Sequence, residues 1–207
     1  MKKSMNTRTL TGLALLTAIV VILQLLGTFI RFGPFAISLV LIPIVVGAAL
    51  YGVAAGAWLG LVFGVTVLLS GDAAAFLVVH APGTVLTVLL KGMLAGLCAG
   101  LVYKALEPLQ AKILFTAKGK EKWGVDLAVI VAAIVCPVVN TGIFLLGCKL
   151  FFMPTITEWA KTAGFESAGR FMILGLVGGN FLFEVLFNLV LSPVIVRLIH
   201  IGKKENR

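Results

Sequence analysis

Long apolar runs constrain this chain more than any other feature of its sequence. A helix of about 20 apolar residues crosses the ~30 Å hydrocarbon core of a bilayer. Six segments come close to this length, at residues 10–26, 35–50, 53–69, 84–106, 125–150 and 171–199. We therefore predict an all-α integral membrane protein, a bundle of about six transmembrane helices that forms a single domain over residues 1–207. The short second and third segments should form a tight helical hairpin or be partly re-entrant.

Charge is scarce and unevenly distributed along the chain. Only 12% of the residues are charged, against about a quarter in soluble domains, and 60% are hydrophobic. Most of the basic residues cluster near residues 2–8, 104–122 and 197–207, beside apolar runs. The positive-inside rule assigns such clusters to the cytoplasm. We expect both termini to be cytoplasmic and the protein to lie in the cell membrane, and we expect no nucleic-acid partner.

Signatures of catalysis are absent from the sequence. It contains no G-x-x-x-x-G-K-[ST] phosphate loop, H-E-x-x-H or G-x-S-x-G motif. Its three cysteines form no CxxC pair, and no His/Cys spacing suits a metal. We therefore expect a protein that is not an enzyme, has no cofactor or metal, and has no evident means of hydrolysing ATP.

Polar residues inside the apolar runs are the candidates for function, because charge at membrane depth is costly unless it is paired or hydrated. Lys91 lies in the outer part of the fourth segment and Asn140 in the outer half of the fifth. Asn180, Glu184 and Asn188 recur every four residues, so they share one helical face. We predict a polar pocket in the outer half of the membrane. Alternatively, Lys91 and Glu184 form a structural ion pair and the asparagines join helices.

Small residues also recur at four-residue spacing. Gly52, Gly56, Gly60 and Gly64 form one stripe, and Gly92, Gly96 and Gly100 form another. Ala14 and Ala18 make a shorter version in the first segment. Such stripes let helix backbones approach closely. They suit either packing within the bundle or docking of a partner helix, and the sequence leaves both open.

Taken together, these features resemble the substrate-binding S component of energy-coupling factor (ECF) vitamin transporters. The resemblance rests on chain length, six segments, the outer polar pocket and the A-x-x-x-A motif at Ala14 and Ala18. It implies that this motif meets a transmembrane coupling protein, which works with two ATP-binding cassette subunits. It also implies that the loop at residues 31–35 covers a vitamin and that Arg31, Lys91, Asn140, Asn180 and Glu184 line its pocket.

The residues of the predicted pocket favour an anionic ligand, because Lys91 and Arg31 can pair with a carboxylate. Glu184 and the asparagines would hold hydroxyl or amide groups. Pantothenate fits best; riboflavin and folate remain open, although few aromatic residues accompany the polar face of the sixth segment.

Two other functions remain open. One is a self-sufficient secondary transporter of a small polar metabolite, with Glu184 as a proton site; the other is a membrane scaffold.

Overall fold

The computed structural model describes residues 7–29, 31–32, 35–36, 39–116 and 127–205. These residues are almost all helical, which confirms the predicted all-α membrane bundle. The elements are α1 (Thr7–Phe29), β1 (Arg31–Phe32), β2 (Phe35–Ala36), α2 (Leu41–Tyr51), α3 (Val53–Ser70), α4 (Ala74–Thr116), α5 (Leu127–Phe151), α6 (Met153–Thr162), α7 (Ala168–Arg170), a π-helix (Phe171–Gly178) and α8 (Gly179–Glu205). The two strands pair as a small antiparallel hairpin after α1.

Five of the six predicted segments correspond to described helical segments that are long and apolar enough to cross a membrane. The second predicted segment, which contains α2, does not. The expected helix at residues 35–50 was wrong at its start, because residues 35 and 36 belong to β2 and the helix begins at Leu41. At 11 residues, α2 is too short to cross. Most of its side chains are buried. Gly52, with φ 94°, joins it directly to α3, so the expected hairpin forms around a buried half-helix.

The chain between the third and fourth predicted segments, and between the fifth and sixth, contains further helix. α4 begins at Ala74, ten residues before the expected start, and is broken at His80 (φ −155°, ψ 85°), just before Pro82. There the His80 Nδ1 accepts a hydrogen bond from the Gly83 amide at 2.9 Å, which replaces part of the interrupted helical bonding. The connection between α5 and the π-helix contains the short helix α6.

The two glycine stripes pack against each other where α3 meets α4. A methyl group at Gly56 would lie 2.5 Å from the carbonyl oxygen of Gly96, far inside van der Waals contact. Gly60 and Gly92 face each other's carbonyl groups even more closely. The glycines of both stripes other than Gly52 therefore serve packing within the bundle; a methyl group at Gly52 would meet no atom within 4 Å.

Replacing Gly60 by Ala should destabilise the protein by about 1–3 kcal/mol, because the methyl group would push the two backbones apart. The measurement is the apparent Tm of the detergent-solubilised protein. Gly142→Ala is the matched control, since a methyl group at Gly142 would meet no atom within 4 Å. An equal Tm for wild type and Gly60→Ala would contradict the packing.

Candidate functional site

Lys91 lies on α4 beside the glycine contact, and aromatic rings surround its ammonium group. The Nζ atom is 5.5 Å from the ring centre of Phe63 on α3 and 5.5 Å from that of Phe144 on α5. Phe63 reaches this position because Gly92 leaves room for its ring; a methyl group at Gly92 would be 3.2 Å from the Phe63 Cδ1. The rings stabilise the cation through their negative faces.

Two carboxylates act on Lys91 from a distance. Glu184 and Asp72 both interact electrostatically with the ammonium. Among the described residues, however, no carboxylate oxygen lies within 4.0 Å of Nζ. Lys91 and Glu184 are therefore near each other without forming a direct ion pair, and the ammonium keeps the capacity to bind an anion.

One face of α5 connects the two charges. Cys136, Asn140, Phe144 and Cys148 follow at four-residue steps and so share that face. Glu184 acts electrostatically on Cys136 at one end, and Lys91 acts on Cys148 at the other. Asn140 lies between these ends and is only 5% exposed. Its Oδ1 is buried without a hydrogen-bond partner.

The polar face of α8 meets α5 from the other side. Asn180 donates a hydrogen bond from Nδ2 to the Glu184 Oε1 at 2.9 Å, and Glu184 is buried. Asn188 donates from Nδ2 to the backbone oxygen of Ala133 at 3.1 Å. Asn188 therefore joins α8 to α5, whereas Asn180 bonds to Glu184, which interacts electrostatically with Lys91.

Three of the predicted site residues remain, Arg31, Ala14 and Ala18. Arg31 belongs to β1, and its side chain is outside the described part of the chain. Ala14 and Ala18 are exposed on α1 and face out of the bundle.

Aromatic residues around Lys91 were missed from the sequence. The Phe76 ring is 5.6 Å from that of Phe144, 5.1 Å from that of Phe152 and 5.5 Å from that of Trp159. This cluster joins α4, α5 and α6 and continues the aromatic surroundings of Lys91. The spacing of Asn140, Phe144 and Cys148 was the available signal, because it puts an aromatic ring on the polar face of α5.

The π-helix Phe171–Gly178 was also missed. It immediately precedes Asn180, and its wider turn changes which side chains of this segment continue the face of Asn180 and Glu184. Gly175 makes room for the Phe171 ring, since a methyl group there would lie 2.5 Å from the Phe171 Cδ2. Apolar runs carry no periodic signal that separates a π-helix from an α-helix.

Asp72 anchors α1 to the turn between α3 and α4. Its Oδ2 accepts hydrogen bonds from the Gln24 Nε2 at 2.7 Å, the Ser70 Oγ at 3.2 Å and the Thr28 Oγ1 at 3.3 Å. Gln24 is only 5% exposed. These bonds hold the C-terminal end of α1 against the bundle.

A separate cavity of about 400 Å³ lies between α5, the π-helix and α8. Its walls are apolar side chains and glycines together with Thr141, and neither Lys91 nor Glu184 lines it. Such a surface suits hydrocarbon and offers nothing to a polar solute, so this cavity is not the candidate site.

The fold and the site define a polytopic membrane protein with buried polar and charged side chains between its helices. A family model for the substrate-specific component of ECF transporters matches residues 8–196. The chain therefore belongs to this family. No curated protein and no solved structure gave a match. Its family makes the chain a transporter subunit that works with an energy-coupling module of a transmembrane protein and ATPases.

Replacing Asp72 by Ala should lower the apparent Tm, because Gln24 and two hydroxyl groups lose the charged acceptor that they share. Each hydrogen bond to a charged group contributes about 1.5–3 kcal/mol to the free energy of unfolding. Ser70→Ala, which removes one of the three bonds, should lower it less. A Tm for Asp72→Ala equal to that of Ser70→Ala would contradict an anchoring role.

Proposed function

We propose that this protein captures a small anionic vitamin from outside the cell for uptake, and that pantothenate is favoured over riboflavin and folate. The observation that carries this proposal is the Lys91 ammonium, held between two phenylalanine rings with no described carboxylate oxygen within 4.0 Å. Arg31, Asn140, Asn180 and Glu184 are the other proposed contacts with the substrate.

A carboxylate on the ligand is the simplest partner for Lys91. A cation inside a bilayer is costly unless it is paired or hydrated, and a charge-assisted hydrogen bond to a carboxylate is stronger than one between neutral groups. The aromatic rings and distant carboxylates lower this cost without occupying the donors of the ammonium. An arriving anion would therefore gain a strong contact and displace no existing ion pair.

The surrounding charges support a ligand with one negative charge. Glu184 and Asp72 already act on Lys91, so a second carboxylate on the ligand would meet repulsion from them. Pantothenate carries a single carboxylate. Folate carries two, and riboflavin is neutral and would leave the ammonium without an anionic partner.

Uptake would be driven by partners, a transmembrane coupling protein and two ATP-binding cassette subunits. The sequence has no phosphate loop of its own. Ala14 and Ala18 lie at the centre of the exposed face of α1, where small side chains would let a partner helix approach closely. Trp58 flanks this face and is half exposed. Its Nε1 donates a hydrogen bond to the Thr17 Oγ1 at 3.2 Å. In this proposal the protein lies in the cell membrane with both termini in the cytoplasm.

Replacing Lys91 by Met should reduce pantothenate affinity at least a hundredfold, because the carboxylate loses its contact with the ammonium while an unbranched side chain of similar length remains. Isothermal titration calorimetry on purified protein measures this. Lys149→Met, at the exposed outer end of α5, is the matched control. Undiminished affinity in a folded Lys91→Met protein would remove Lys91 from the site.

Replacing both Ala14 and Ala18 by Leu should abolish uptake into cells and leave ligand binding intact, because the larger side chains would hold a partner helix away. Val190→Leu, on the exposed face of α8, serves as the control. Uptake assays on cells and calorimetry on purified protein separate the two effects. Normal uptake by the double variant would refute docking through this face.

A further inference from the structure

Beyond the charge of the ligand, the site specifies its uncharged part. We infer that Asn140 and Asn180 form a pair of hydrogen-bond acceptors that selects a substrate with at least two hydroxyl or amide N–H donors remote from its anionic group. This inference rests on the proposed function, because it concerns the same site, and it adds the chemistry that distinguishes the substrate from other monoanions.

Asn140 supplies the first acceptor. Its side chain is 5% exposed, and Oδ1 has no hydrogen-bond partner. A buried amide oxygen without a partner is destabilising, so native structures rarely keep one without a reason. Asn140 lies between the part of α5 next to Glu184 and the part next to Lys91. A ligand bound to the ammonium would therefore extend across it.

Asn180 supplies the second acceptor, and Glu184 determines its orientation. Asn180 presents its NH₂ group to Glu184, since its Nδ2 donates a hydrogen bond to the Glu184 Oε1 at 2.9 Å. The amide oxygen then points away from Glu184. This oxygen is also buried without a partner. Glu184 thus acts as a positioning residue that makes Asn180 an acceptor.

The two asparagines lie at the same depth in the membrane. α5 and α8 are antiparallel, because Cys148 near the end of α5 packs in the same cluster as Phe171 and Met172 at the start of the π-helix that leads into α8. Asn188 contacts Ala133. Asn180 precedes Asn188 by eight residues on α8. Thr141, which is next to Asn140, follows Ala133 by eight residues on α5. Equal steps along two α-helices cover equal rises, so the two acceptors are level.

Selectivity follows from the cost of leaving these acceptors unpaired. A ligand that fills the space without supplying donors displaces any water and leaves buried oxygens without partners. Each missing donor should therefore weaken binding about ten- to hundredfold. A site built for hydrogen bonds rejects an analogue that lacks them much better than an apolar pocket rejects one that differs in size.

The test compares pantothenate with N-(3,3-dimethylbutanoyl)-β-alanine, which keeps the carboxylate and amide but lacks both hydroxyl groups. Calorimetry measures both ligands with wild type, Asn140→Leu and Asn180→Leu. Wild type should prefer pantothenate by at least a hundredfold. Each variant should lose about tenfold or more of this preference, with the affinity for the analogue nearly unchanged. Thr141→Val is the control, and Asn140→Ala and Asn180→Ala replace the leucine variants if those fail to fold.

Folate, riboflavin and biotin are titrated in parallel against wild type, the asparagine variants and Lys91→Met. One outcome is that a compound, pantothenate included, binds in a way that Lys91→Met weakens but neither asparagine variant weakens. This outcome would overturn the inference and leave the proposed function standing. Binding that Lys91→Met does not weaken, or no binding of any compound to folded wild type, would overturn the proposed function and the inference with it.

Discussion

The close contact between the glycine faces of α3 and α4 fixes the geometry on which the site depends. Gly60 and Gly92 bring the two backbones together, and Lys91 is the next residue to Gly92. Because Gly92 has no side chain, the Phe63 ring fits beside it and reaches the ammonium of Lys91. The same contact thus stabilises the bundle and positions its charged residue. A wider helix separation would remove the ring from the cation.

The membrane gives each buried polar group a structural or a functional role, and the bonding pattern separates the two. Asn188 bonds to the backbone of α5, and Gln24 bonds to Asp72, so both residues join helices. Lys91 has aromatic neighbours but no direct ion pair among the described residues. Asn140 has a buried oxygen without a partner. Groups that the protein itself does not satisfy are the ones that a substrate can satisfy.

The sequence predicted the helical class and the polar faces because both depend on local spacing. It failed where tertiary contacts decide. The start of α2 at Leu41, the break at His80 and the π-helix leave little trace in an apolar pattern. Nor could spacing reveal that the Phe144 ring faces Lys91, since this depends on how α4 and α5 pack. The roles of the candidate residues in binding remain predictions from their chemistry.

The most direct test of the account compares pantothenate with pantothenol, which carries a hydroxymethyl group where pantothenate carries its carboxylate. Calorimetry on the purified wild-type protein measures both affinities. If the Lys91 ammonium pairs with the ligand carboxylate, pantothenol should bind at least a hundredfold more weakly than pantothenate. Equal affinities would contradict the account, because the charge of the ligand would then make no contribution to its capture.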